Sequence, residues 1–337
     1  MKINVMVAGA TGLVGMTMVR ILEERDFPSD HLIPVASDRL KGRSINFKGK
    51  KILITTLSRA LTLNPGIALF SAGKEVSLLW APRFAQAGWR VIDNSSCWRI
   101  SPDVKLIVPE INGHLLDADD RLIANPNCST IQMVMALAPL HSRYHVKRIV
   151  ATSYQSVTGS GQKGMTQLFD EREANVSGKT KLVTGNVYPC PIDLNVIPQI
   201  GDIMPDGYSA EEIKMREETR KILGDPAIGV SATTTRVPVV GGHCVSVNAS
   251  FKEPFRMEDV LALLSAFPGL VLNLNGTPGK LGYAVPQEAR GTDPVYVGRV
   301  RRDTSAENTL DLWTVADNLR KGAALNAVQI AEILLSL

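Results

Sequence analysis

A short apolar run, Lys2–Ala8, ends on the turn Gly9-Ala10-Thr11-Gly12-Leu13-Val14-Gly15, and that turn opens a helix. This junction constrains the chain most. A buried strand that leaves through glycines into a helix is how a parallel, doubly wound sheet begins. Leu13–Arg25 carries Leu13, Val14, Met18, Val19 and Leu22 on one face and stops at Asp26-Phe27-Pro28. Further strands are expected at His31–Ala36, Lys51–Thr55, Gly66–Phe70, Arg90–Asp93, Lys105–Val108 and Arg121–Ala124, with a helix at Lys74–Ala87. Alternation of this kind predicts parallel strands wrapped by helices.

The glycine turn suits a nucleotide. Glycines let a pyrophosphate approach the backbone, and the helix start offers free N–H groups and a favourable dipole. The spacing is G-x-x-G-x-x-G rather than G-x-G-x-x-G, so an ordinary strand–helix turn is the competing reading. After the second strand the chain reads Val35-Ala36-Ser37-Asp38-Arg39. Ser37 and Arg39 suit the 2′-phosphate of NADP, whereas Asp38 suits the ribose of NAD or simply faces water.

The pattern changes after Asn125. A helix is expected over Ser129–Leu140. Longer, alternating strands follow at Lys147–Val157, Val230–Val237, Gly242–Phe251 and Val295–Arg302, which predicts a mixed or antiparallel sheet. Ser209–Leu223 reads as a highly charged helix and Lys321–Leu337 as a helix apolar on one side. With 337 residues the chain exceeds what one core usually serves. A formal net charge of +4 with no basic run argues against nucleic acid. No charged leader precedes an apolar core, and no stretch nears the roughly 18 apolar residues of a span, so the expectation is a cytoplasmic protein away from membranes.

Four cysteines without a C-x-x-C pair do not make a disulfide framework, and no metal site is expected. Cys97, Cys190 and Cys244 read as small buried hydrophobes. Cys128 differs. It lies in Asn125-Pro126-Asn127-Cys128-Ser129-Thr130, at or just before a helix N-terminus, which lowers a thiol's pKa. A thiolate beside a nicotinamide suggests attack on an aldehyde, hydride transfer, and release of the thioester to phosphate. His243, one of five histidines, is the leading base, although its strand position also fits a core histidine. The Cys128 N–H or the Asn127 amide suits an oxyanion. Arg99 and Arg236 each suit a carboxylate or phosphate. Glu211 and Lys214 share a helix face and read first as a solvated surface pair.

Taken together, VAGATGLVG, FSAGKEVS, VIDNSS, ANPNCSTIQM, SYQSVTGSGQKG, NVIPQIG, TRVPVVGGH and DNLRKGAALNAVQIAE resemble the bacterial-type aspartate-β-semialdehyde dehydrogenase family. The resemblance runs through nearly the whole chain. It implies an α/β fold: a Rossmann-like NADP-binding domain over 1–128 and 318–337, and an α+β catalytic and dimerisation domain over 129–317. The second domain would carry a mixed sheet like that of glyceraldehyde-3-phosphate dehydrogenase. Cys128 would be the nucleophile, His243 the acid/base, and Gln155 the group orienting substrate or thioester. Arg236 would grip the α-carboxylate, Glu211 the amino group, and Arg99 with Lys214 the phosphate. Gly9, Thr11, Gly12, Leu13, Val14, Ser37, Arg39, Ser71, Ala72, Gly73, Ser160, Gly161 and Asn318 would line NADP. The resemblance further implies a homodimer or tetramer and NADPH-dependent reduction of L-aspartyl-4-phosphate to the semialdehyde, in lysine, methionine and threonine biosynthesis.

Two departures stand out: Cys97, and the segment Cys190-Pro191-Ile192-Asp193 where a more apolar run is usual. Two alternatives remain open on sequence. One is a reductase of the N-acetyl-γ-glutamyl-phosphate type, for which Glu211 has less use. The other is a non-catalytic nucleotide-binding relative, which should not retain Cys128, Gln155, Arg236 and His243 together.

Overall fold

The computed structural model describes residues 3–178, 187–274 and 281–337; Lys2, expected to start the first strand, lies outside them. The chain divides into two compact units, Met1–Asn127 with Ala323–Leu337, and Cys128–Gly322.

The first unit runs β1 (Ile3–Ala8), α1 (Leu13–Glu24), β2 (Ser29–Val35), β3 (Ser44–Phe47), β4 (Lys50–Leu53), α2 (Leu57–Leu61), β5 (Ile67–Phe70), α3 (Lys74–Gln86), β6 (Arg90–Asp93), β7 (Lys105–Leu106), α4 (Pro109–Asn112) and β8 (Leu122–Ala124). Its main sheet has the order β2-β1-β5-β6-β8-β7, every pair parallel. Strand side chains alternate between two cores. Val5, Val7, Ile67 and Leu69 pack in the core that includes Met18 and Leu22 of α1. Met6, Ala8, Ala68 and Phe70 pack in the one with Ala81 and Phe84 of α3. Burial on both faces explains why these strands read as unbroken apolar runs.

The second unit runs α5 (Cys128–Tyr144), β9 (Val146–Ser156), α6 (Gly161–Val176), α7 (Ala210–Leu223), β10 (Gly229–Val237), β11 (His243–Phe251), α8 (Met257–Ala266), β12 (Leu270–Leu272), α9 (Pro286–Ala289), β13 (Val295–Arg302) and β14 (Thr309–Ala316). Its sheet order is β10-β9-β11-β14-β13-β12. It is mixed: β10 runs parallel to β9, and β12 to β13, while β11 is antiparallel to β9 and β14. Along β9 the side chains alternate, with Ile149, Ala151 and Ser153 buried and Val150, Thr152 and Tyr154 partly exposed.

The helix α10 (Leu325–Ser336) belongs to the first unit, with Leu325, Val328, Ile330, Ala331 and Leu334 buried in the α1-side core. Glu332 on it takes a two-pronged contact from Arg25, at 2.6 and 2.8 Å. A π-helical turn at Arg320–Ala324 precedes α10, so the expected helix from Lys321 starts later and wider than a plain α-helix.

Two expectations need correction. Lys51–Thr55 is not a strand of the parallel sheet: Lys50–Leu53 folds back antiparallel on Ser44–Phe47. The cause is the Lys48-Gly49 turn, whose φ values of 47° and 73° close a two-residue hairpin. Lys105–Val108 is shortened to Lys105–Leu106, because Pro109 opens α4 three residues later. Among the described residues no helix is long and apolar enough to cross a membrane.

Candidate active site

In the first unit three sequence-selected segments come to the C-terminal ends of adjacent strands. They are the Gly9 turn after β1, Ser37–Arg39 after β2 and Ser71–Gly73 after β5. The sheet order reverses at β1, and such a switch point is where open α/β sheets bind ligands. The turn is tight. Gly9 has φ +82°, and its N–H and that of Ala10 both donate to the Val35 carbonyl, at 2.9 and 3.0 Å. A Cβ on Gly15 would lie 2.0 Å from the Gly9 carbonyl oxygen, so only glycine lets the helix start this close to the strand end. Neither α1 nor α3 has a side-chain cap at its N-terminus. Their first-turn N–H groups therefore suit an anionic ligand. Ser37, Asp38 and Arg39 are all exposed.

Arg99 is buried, at 8% exposure, and its Nη2 donates to the Asn94 carbonyl at 2.8 Å. The loop carrying it is tied to fully buried Asp93, which accepts from the Ser95 N–H at 2.7 Å, the Ser95 hydroxyl at 2.5 Å and the Ser77 hydroxyl. Trp98 Nε1 donates to the same Ser77 oxygen at 3.0 Å. Burial raises the Asp93 carboxyl above its ordinary value, against the opposing pull of these hydrogen bonds and of Arg99.

The second unit gathers a cluster from distant segments. The parallel strands β9 and β10 end together, with Gln155 opposite Arg236 in register. Antiparallel β11 begins at that same end with His243. All three side chains are buried. Gln155 Nε2 donates to Ser153 Oγ at 3.2 Å and reaches Glu211 Oε1 at 3.4 Å. Glu211 sits in the first turn of α7, whose start is fixed by the Ser209/Glu212 capping box and by the Thr234 N–H donating to Glu212 at 2.9 Å. A cap of this kind stabilises a helix end by about 1 kcal/mol. Lys214 Nζ lies 3.1 Å from Glu211 Oε2, so the pair is joined, but Glu211 is only 6% exposed and is no surface residue.

One residue the sequence did not single out holds two that it did. The Ser156 N–H donates to His243 Nδ1 at 3.0 Å, and the Ser156 carbonyl accepts from Arg236 Nη1 at 2.7 Å. Its hydroxyl donates to the Val239 carbonyl at 2.9 Å, fixing the peptide. Gly159 leaves room beside both partners: a Cβ there would stand 2.6 Å from Arg236 Nη1 and 3.2 Å from His243 Nε2. Tyr188 is a second omission. Its hydroxyl lies near Ser160 and Gly164, and burial pushes its phenol up against the opposing pull of Ser160 and of the Arg236 charge. Neither residue stands out in sequence, because a backbone contact and a loop tyrosine leave no periodic signature.

Cys128 is the first residue of α5, and the Gly322 backbone lies against it, where a Cβ would stand 2.8 Å from the Cys128 Cβ. Burial pulls the Arg236 guanidinium down from its ordinary value, and the charges of Tyr188, Cys128 and Glu211 pull it back up. Arg236 Nε and His243 Nε2 are buried and have no hydrogen-bond partner among the described residues. Burial first, then Arg236, hold His243 well below the ordinary histidine value. The remaining cysteines diverge. Cys244 is buried, its thiol pushed up to about 12 by desolvation, as an inert core thiol would be. Cys97 is half-buried and raised first by burial, then by Asp93. Cys190, expected inside, is exposed, because its two proline neighbours hold an irregular surface stretch. The unusual Asp193 nearby is buried, with Arg172 at 3.0 Å and Asn175 at 3.0 Å.

Ser160, Gly161 and Asn318 fall in the second unit. Gly161 has φ +70° at the start of α6, and Asn318 Oδ1 accepts from Thr158 Oγ1 at 2.8 Å. Asn127 is buried and ends the first unit's leading segment.

Comparison with known proteins accounts for both units. Residues 4–118 match the family described as semialdehyde dehydrogenase, NAD binding domain, and residues 137–321 match semialdehyde dehydrogenase, dimerisation domain. The aspartate-semialdehyde dehydrogenase of Aquifex aeolicus is 45% identical, covering 99% of this chain and 98% of its own. That of Shewanella violacea is 46% identical with the same coverage. The crystal structure of aspartate semialdehyde dehydrogenase II from Vibrio cholerae, complexed with ASA, superposes with a TM-score of 0.94 at 42% identity, covering 100% of this chain and 99% of that one. A chain alike over its whole length in sequence and fold to these enzymes, with a glycine-turned nucleotide crevice and a cysteine at a helix start, belongs to the aspartate-semialdehyde dehydrogenase family.

Proposed function

We propose that this chain reduces L-aspartyl-4-phosphate to L-aspartate-4-semialdehyde and phosphate, reversibly and at the expense of NADPH, through a thioester on Cys128. The observation that carries the reading is the meeting of Gln155, Arg236 and His243 at one end of the second unit's sheet, with the charge of Arg236 felt at Cys128. Cys128 is the nucleophile, favoured as thiolate by the α5 N-terminus and by Arg236. Arg236, with its spare buried Nε–H, suits the substrate α-carboxylate in two parallel bonds. Glu211 beside Gln155 suits a free ammonium group, which favours an unacylated amino acid over an N-acetylated one. Arg99 and Lys214 are the cations assigned to phosphate, Gln155 orients the substrate, and Asn127 with the Cys128 N–H supports the oxyanion.

The nucleotide fits the residues present. The glycine turn has no Cβ in the way, and the α1 N-terminus is uncapped. Gly9, Thr11–Val14, Ser71–Gly73, Ser160, Gly161 and Asn318 would hold it, with exposed Ser37 and Arg39 taking the 2′-phosphate that marks NADP. When bound, the nicotinamide supplies or accepts the hydride. The open sheet face of the second unit, which includes Thr152, Tyr154, Ser246 and Trp313, is the surface we assign to a homodimer. A cytoplasmic place in lysine, methionine and threonine biosynthesis goes with this reaction.

The test is NADP reduction with L-aspartate-β-semialdehyde, with and without phosphate, beside N-acetyl-glutamate semialdehyde. Phosphate-dependent turnover of the first substrate alone is expected. Equal or better turnover of the acetylated substrate would overturn the reading.

A further inference from the structure

We propose that the Thr158 hydroxyl is a positioning group for the nucleotide. It holds the Asn318 side-chain amide by its oxygen, so that Nδ2 is left as the donor that meets the carboxamide oxygen of the nicotinamide. This deepens the NADP reading and rests on it. Asn318 lies two residues after β14, and the backbone around it is fixed. One carboxylate oxygen of Asp317 accepts from the Leu319 N–H at 2.7 Å and the Arg320 N–H at 3.2 Å, and the other accepts from the Gly291 N–H at 2.7 Å. What remains to be set is the rotation of the Asn318 amide. Thr158 Oγ1 lies 2.8 Å from Asn318 Oδ1, and both residues are buried. Among the described residues Asn318 Nδ2 meets no acceptor. A donor left over on a buried side chain is a group waiting for a ligand.

Counting hydrogens gives the direction. Ser156 Oγ carries one hydrogen and lies 2.9 Å from the Val239 carbonyl and 2.8 Å from Thr158 Oγ1, a three-centre arrangement. The Val239 carbonyl also takes the Val157 N–H, at 3.1 Å. With Ser156 donating toward Thr158, the single Thr158 hydrogen goes to Asn318 Oδ1. Its other acceptor, the Gly241 carbonyl, stands farther off at 3.5 Å. An amide whose oxygen is engaged in this way offers N–H groups on its other side.

The position selects the nicotinamide end of the nucleotide and not the adenine end. Ser156, at the head of this run of hydroxyls, is the residue whose N–H meets His243 Nδ1 and whose carbonyl meets Arg236 Nη1. Asn318 is therefore tied through Thr158 to the cluster assigned to the substrate. The reacting ring is the part of the nucleotide that must come there. A donor held at a fixed angle pins the carboxamide, and with it the rotation of the ring. Thr158 touches neither substrate nor nucleotide and acts through Asn318.

The experiment measures affinities by calorimetric titration of the full-length enzyme, wild type and variants, with three ligands. They are NADP, its acetylpyridine analogue, which keeps the carbonyl oxygen and lacks the amide NH2, and 2′,5′-ADP, which lacks the nicotinamide altogether. Thr158→Val keeps the shape and removes the hydroxyl. We expect it to weaken NADP and the analogue alike, by about five- to tenfold, and to leave 2′,5′-ADP within about twofold. Thr158→Ser should restore both. An equal loss for 2′,5′-ADP, no loss for any ligand, or no rescue by Thr158→Ser would make Thr158 a structural tie and overturn the proposal. A loss for NADP with none for the analogue would mean that the amide offers its oxygen to the carboxamide NH2, and would overturn it as well. Asn318→Asp keeps an oxygen for Thr158 and removes the donor, so it should reproduce the Thr158→Val pattern. Unchanged NADP affinity in Asn318→Asp would overturn the proposal, and this variant decides if Thr158→Val does not fold. Binding of 2′,5′-ADP by the wild type tests the nucleotide reading separately, since the Thr158 hydroxyl has no part in it.

Discussion

The nucleotide turn of the first unit and the polar cluster of the second are both candidate binding sites, but they are built from different material. The first is backbone: N–H groups at the starts of α1 and α3, reached past a turn that lacks side chains at Gly9 and Gly15. The second is side chains: Gln155, Glu211, Arg236 and His243, held by hydrogen bonds between residues that are 56 to 87 positions apart. A backbone site fails when a side chain is added, whereas a side-chain site fails when one is removed. The two should therefore be separable by substitution.

The sharpest separation is Cys128→Ala. Removing the thiol should lower turnover by about four orders of magnitude or more, since the residues around a lost nucleophile do not replace it. NADP affinity should stay within about twofold, because the sulfur contributes bonding to the acyl group and little to the nucleotide. Stopped-flow turnover and cofactor fluorescence titration check this, and substantial residual activity would remove Cys128 from its role.

Gly15→Ala tests the other side. A Cβ 2.0 Å from the Gly9 carbonyl must push α1 away from β1, at a cost of about 1–3 kcal/mol. We expect a melting temperature lower by several degrees and NADP binding weakened by about tenfold or more. The iodoacetamide reactivity of Cys128 should be unchanged, because the cysteine belongs to the other unit. A parallel loss of Cys128 reactivity would show that the two sites are not separable.

Arg39→Ala is the mildest. Arg39 is exposed, so its contact with a 2′-phosphate is partly screened, and about a tenfold loss for NADP is expected with less than about twofold for NAD. Equal losses would take Arg39 out of phosphate recognition and leave Asp38 as the residue to examine.

The contrast also explains what could be read early. The first unit's strands and its glycine turn are local features. Val5 and Val7 against Met6 and Ala8 already declare a strand buried on both faces, and Gly9-x-x-Gly12 follows directly. Lys51–Thr55 reads as a strand of that sheet, whereas Lys50–Leu53 pairs with Ser44–Phe47 instead, because a single short strand carries no record of its partner. The strand position of His243 fits both a base and a core histidine. Its burial belongs to the core, and its unpartnered Nε2 belongs to chemistry. Glu211 and Lys214 looked like a solvated pair because helical spacing reports which residues are neighbours, not what covers them.

By itself the sequence determined the parallel sheet, the nucleotide turn and a cysteine at a helix start, since each depends on residues close along the chain. The tertiary structure alone decided that the Ser156 N–H meets His243 Nδ1 and that the Ser156 carbonyl meets Arg236 Nη1. Those facts depend on one peptide meeting two strands, and strand register is set by packing of the whole second unit, not by any segment of it.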